Sequence, residues 1–164
     1  MAERIFRNRK VRRKNVEVER NLRMVSQKIF SVGEERQRRH KAVRKLRNEP
    51  TEEHLWKAVM LYSGVNFKTY SGLLFSYEIK KGRNGEYTKE LWIDRRENSK
   101  SLAWSSVLLA LRNMKKVGEV VDRPKALGDI RGVTYIYGMF YRFGLIDMPD
   151  EVKEKIGHPK DRKK

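Results

Sequence analysis

The sequence predicts an α+β fold that is mostly helical, with one antiparallel β-hairpin at about 72–94 and basic helices at its N-terminus. Three observations carry this. Val18, Leu22, Val25, Ile29 and Val32 recur at 4-3-4-3 spacing, an apolar stripe of about four helical turns. Residues 75–80 alternate apolar and polar and lead to Asn84-Gly85, a strong short-range hairpin signal. Two further helical stripes flank that hairpin, one at Leu55, Ala58, Val59 and Tyr62 and the other at Trp104, Val107, Leu108, Leu111 and Met114.

Taken in order, residues 1–14 hold seven basic residues with little periodicity and are expected to be a disordered basic arm. Residues 15–48 form a basic helical segment in two pieces, 16–32 and 34–47, with Gly33 as the break and Val43 and Leu46 as the aliphatic anchors of the second piece. The folded α+β core is assigned to 49–147. It opens at Glu49-Pro50-Thr51, where the residue before proline is biased away from helix and Thr51 can cap the next helix, with Glu52 and Glu53 at its positive end. Gly64 is expected to stop that helix.

In the hairpin, Leu73, Phe75, Tyr77 and Ile79 share one face, and Tyr87, Lys89, Leu91 and Ile93 share a face of the return strand. A lone hairpin is marginal in water, so its apolar side must rest on helices. Ser99 or Ser101 is expected to cap the helix that carries Trp104. A loop or short strand at 119–131 follows, then an aromatic-rich helix over about 133–143 between Gly132 and Gly144. Residues 148–164 are read as a short helix from Pro149-Asp150-Glu151 and a charged tail, Lys160 to Lys164.

Charge is the main functional signal. Residues 1–48 contain 17 Lys or Arg against five Glu and no Asp, so this stretch supplies +12 of the total +18. Such density calls for a polyanion, most economically nucleic acid, because each phosphate contact releases counterions. The expected function is therefore a non-enzymatic nucleic-acid-binding protein that contacts the phosphate backbone of DNA or RNA. The candidate contacts are Arg7, Arg9, Lys10, Arg12, Arg13 and Lys14 in the arm and Arg36, Arg38, Arg39, Lys41, Arg44, Lys45 and Arg47 in the basic helix. Lys80, Lys81 and Arg83, projecting together at the hairpin tip, form a second anchor. Trp92, on the hairpin face opposite Leu91 and Ile93, is expected to be covered by the first helices; left exposed, it would offer a surface for an unpaired base.

The residues also bear on other functional classes. Three helices followed by a hairpin is the order of a winged helix-turn-helix, with 52–63 in the major groove and the tip as the wing, though Glu52 and Glu53 oppose phosphate approach. Gly82-Arg-Asn-Gly85 has the G-x-x-G spacing of KH loops, but those join helices and this one joins strands. The stripe Val18, Leu22, Val25, Ile29, Val32 is expected to pack on the chain's own core, and its alternative is a homodimer seam in an adaptor for an acidic partner. Glu78-Ile-Lys80 resembles the E-x-K element of metal-dependent nucleases, but no Asp or Glu lies between His54 and Tyr77 to complete it. His40, His54 and His158 are isolated, and Tyr135, Tyr137 and Tyr141 are read as structural. No nucleotide-binding glycine loop occurs, and no cofactor or metal is implied. The chain has no cysteine and no apolar run approaching a membrane span, so it is expected to be cytoplasmic and independent of membranes.

Overall fold

The computed structural model describes residues 2–94 and 101–157, and for 2–15 the backbone alone. Ser99, His158 and the Lys160–Lys164 tail lie outside the described residues. The chain divides into two units, Met1–Arg38 and Arg39–Lys164. The first helix, α1, runs unbroken over Ala2–Asn48. Residues 2–38 of it are the described part of the first unit, and its last ten residues belong to the second.

This continuity replaces the break expected at Gly33. A single glycine in a helix costs only about 1 kcal/mol relative to alanine, and Glu34, Glu35, Arg36 and Gln37 directly after it are good helix formers. A Cβ at Gly33 would meet nothing within 4 Å, so no packing demand explains the glycine.

The second unit begins with the end of α1, where Ala42, Val43 and Leu46 are buried in the core. Helix α2 (Glu52–Leu61) follows, with Thr51 as N-cap accepting a bond from the His54 amide at 3.3 Å, and it buries Leu55, Ala58 and Val59. The sheet has four antiparallel strands rather than the two of a hairpin, in sequence order: β1 (Phe67–Lys68), β2 (Leu74–Glu78), β3 (Glu90–Asp94) and β4 (Ser101–Ala103). The predicted hairpin is β2–β3, in register Tyr77↔Ile93 and Glu78↔Trp92. Period 2 puts Phe75, Tyr77, Leu91, Ile93 and Leu102 on the buried face. Exposed Leu74 and Glu78 and half-buried Trp92 take the other.

Ser101 does not cap a helix. It lies in β4, opposite Trp92, and α3 (Trp104–Val117) starts from Ala103 without a side-chain cap. A 3₁₀ turn over Pro124–Leu127 occupies the expected loop, and α4 (Val133–Phe143) sits between Gly132 and Gly144, whose φ values of +78° and +72° suit glycine. Helix α5 (Asp150–Ile156) buries Val152 and Ile156, so the core extends past residue 147.

Gly138 brings α4 close to the sheet edge, since a Cβ there would clash with the Lys68 carbonyl oxygen. Inside, Phe67 stacks on Phe75 and Tyr77 and meets Phe143 edge-on. The winged-helix order is not formed, because its first two helices are one and the sheet has two additional strands. No described helix is long and apolar enough to cross a membrane.

Candidate nucleic-acid interface

The end of α1 has two sides. Ala42, Val43 and Leu46 enter the core, while Lys41, Arg44 and Lys45, at i, i+3 and i+4, occupy the opposite, exposed face. No acidic residue occurs between Arg39 and Asn48. Three like charges on one helix face repel one another, so a polyanion laid across them relieves a cost the fold alone does not. Because the opposite side of the same turns is buried, the backbone that carries these cations is anchored in the fold.

Two expected phosphate contacts have structural partners instead. Arg39 Nε donates to the Leu61 carbonyl at 2.8 Å, and its guanidinium lies 5.8 Å from the Tyr62 ring centre. Arg47 Nε donates to the Phe143 carbonyl at 2.9 Å. Leu61 and Phe143 are the last residues of α2 and α4, so each arginine satisfies a carbonyl that the helix itself leaves open, where a cation also favours the dipole. Tyr77 completes the same end of α2, its hydroxyl donating to the Val59 carbonyl at 2.7 Å. At Gly144 a Cβ would stand 2.5 Å from Arg47 Nε, so the glycine also makes room for that contact.

In the first unit Arg36 and Arg38 are exposed. The side chains of Arg7, Arg9, Lys10, Arg12, Arg13 and Lys14 lie outside the described residues. Val18, Leu22, Val25, Ile29 and Val32 are each more than half exposed, which corrects the expectation that the stripe is buried.

At the hairpin tip Gly85 takes φ +79°, and the Gly82 amide donates to the Glu86 carbonyl at 2.8 Å. Lys80 and Lys81 do not project together. The Lys80 ammonium lies 4.0 Å from the Trp92 ring centre, and that of Lys81 lies 5.2 Å from Tyr87. Each is a cation paired with an aromatic face. Arg83 is exposed in the turn, where Asn84 Nδ2 donates to Glu86 at 3.1 Å. Trp92 is half-buried, and Lys80 lies over its ring. The sequence placed these aromatic and basic residues near one another but not the pairing, which depends on the strand register.

Glu52 is held inside the fold's own network. It accepts the Trp104 indole N–H at 3.0 Å and lies 3.6 Å from the Lys89 ammonium, while Trp56 meets Trp104 edge-on at 4.8 Å. The N-terminal end of α2 is thereby tied to α3. Glu78 is exposed and opposite Trp92, and the described residues contain no group of three or more His, Asp or Glu arranged to hold a metal ion. Tyr137 is buried and donates to the Val121 carbonyl, and burial, then Tyr70 and nearby carboxylates, push its phenol up. A cleft of about 440 Å³ beside β1 and α4 is lined by Lys68, Arg142, Phe67, Leu74, Tyr141 and Ile156, among others. Arg142 Nη1 donates there to the Asn66 carbonyl at 2.8 Å. No protein-family model matches the chain, and neither a curated protein nor a solved structure matches it.

Proposed function

We propose that the protein binds nucleic acid through its phosphate backbone, without base-specific readout from α1. The observation that carries this is the exposed face of Lys41, Arg44 and Lys45, set opposite buried Ala42, Val43 and Leu46 in ten residues free of acid. Phosphates are the common polyanion that such a row of cations suits, and they supply position and affinity rather than sequence information. The hairpin tip adds Arg83 and the Lys80–Trp92 and Lys81–Tyr87 pairs, where an unpaired base has aromatic faces to stack upon. Arg39 and Arg47 are left out of the contact set, because their Nε groups cap α2 and α4.

The test is equilibrium binding of the full chain to labelled mixed-sequence oligonucleotides, double- and single-stranded, across a salt series. Six to ten phosphate contacts would cost about 10³–10⁵ in affinity between roughly 50 and 200 mM salt. Flat affinity over that range would overturn the proposal. A preference for single strands that disappears in Trp92→Ala would assign the tip a stacking role.

A further inference from the structure

The charge of α1 is not spread evenly. Residues 2–14 carry +6 and residues 34–48 carry +5, but residues 15–33 carry only +1, with Arg20, Arg23 and Lys28 against Glu17 and Glu19. The exposed apolar stripe falls wholly inside this near-neutral window. Val18, Leu22, Val25, Ile29 and Val32 are 54–67% exposed on one face of an unbroken helix. An exposed apolar row of this kind marks an interaction surface.

From this we infer that the protein self-associates through residues 18–32 of α1, as a helical bundle of more than two copies. The occupant follows from charge. A second copy brings the same apolar row within the same near-neutral window, so the strands meet where like-charge repulsion is smallest. The residues flanking the row are Glu19, Asn21, Ser26, Lys28 and Gly33, of which only two are charged and those oppositely.

The number of copies follows from the layers. The 4-3-4-3 spacing fixes Leu22 and Ile29 at a positions and Val18, Val25 and Val32 at d positions. Two-stranded coils favour β-branched residues at a with leucine at d. Leucine or isoleucine at a with β-branched residues at d shifts the preference to three or four strands. The row spans little more than two heptads, so association is weak and depends on protein concentration.

Self-association and nucleic-acid binding respond to salt with opposite signs. Screening weakens phosphate contacts, and it strengthens contact between copies that are each strongly positive. Sedimentation equilibrium of the nuclease-treated full chain, at about 0.1 M and about 0.5 M salt, reads this directly. The mass should rise with concentration from 19.6 kDa toward three or four copies, more readily at the higher salt.

The variant Val25→Ser/Ile29→Ser leaves the charge unchanged and alters residues that are exposed in the single chain. It should move the association midpoint to at least about tenfold higher concentration. The melting of the second unit and the salt slope of nucleic-acid binding should stay as in the parent, so failure here is distinguishable from failure of the binding proposal. A 19.6 kDa species at every concentration and both salts would overturn the inference, even were an acidic protein bound in its place. A mass that levels off at two copies would overturn the multi-stranded packing. A variant that associates as tightly as the parent would overturn the assignment to this row.

Discussion

Residues 18–32 and 39–48 lie in the same helix and were read from the same kind of pattern, yet their apolar residues meet opposite fates. Leu22 and Ile29 are 61% and 67% exposed, whereas Val43 and Leu46 are 2% and 0% exposed. The regular, longer row is uncovered, and the sparse one is anchored in the core. Periodicity reports that a helix has an apolar side, not what covers it. Charge density alone is equally uninformative about role, because adjacent arginines of α1 divide between capping other helices and facing solvent.

The largest expected separation between the two regions is in stability. Leu46→Ala should destabilise the second unit by about 2–5 kcal/mol, as a cavity in a closed core does. Ile29→Ala, in dilute protein, should change its unfolding free energy by less than about 0.5 kcal/mol. Denaturant melts of the two variants check this, and equal effects would show that the anchoring contrast is wrong.

Next come the arginines. Arg47→Ala leaves the Phe143 carbonyl without its donor and should cost about 1–3 kcal/mol. Arg44→Ala, three residues earlier on the exposed face, should leave stability within about 0.5 kcal/mol while weakening nucleic-acid binding. Thermal melts and binding isotherms on the same pair would separate cap from contact.

Alkaline pH should act on the second unit alone through tyrosine, because residues 1–38 contain none. Burial, and then Tyr62, hold the Tyr77 phenol well above its ordinary value. A pKa raised in the folded state gives stability that is complete below the unfolded value, near 10, and lost progressively as pH rises from there through the raised folded value. Unfolding free energy should therefore fall above about pH 10. In Tyr77→Phe that fall should be shallower, from a lower starting stability because the Val59 carbonyl loses its partner.

Gly33→Ala gives the smallest effect, an increase in helix stability of up to about 1 kcal/mol confined to the first unit. Hydrogen exchange on amides flanking residue 33 should slow, with no change in the second unit.

Much of the fold was legible in the sequence because its signals are local. Asn84-Gly85 marked the hairpin, Thr51 the cap of α2, and Gly132 and Gly144 the ends of α4. β1 and β4, two and three residues long, are too short to show a period, and Ser101 looked like a cap because serine serves both roles. The site was legible as charge and not as partnership. Arg47 meets a carbonyl 96 residues away, and Lys80 meets a ring across the hairpin, so neither role has a local signature. Lys41, Arg44 and Lys45 could be picked out only once Ala42, Val43 and Leu46 had fixed which side of the helix is buried.

The salt slope of nucleic-acid binding, compared between the parent and Lys41→Ala/Arg44→Ala/Lys45→Ala, tests the anchored basic face most directly. Each lost phosphate contact should reduce the slope of log affinity against log salt by about 1, so the triple variant should lose about 2–3 with its melting temperature unchanged. An unchanged slope in a folded variant would contradict the claim that this face binds phosphate.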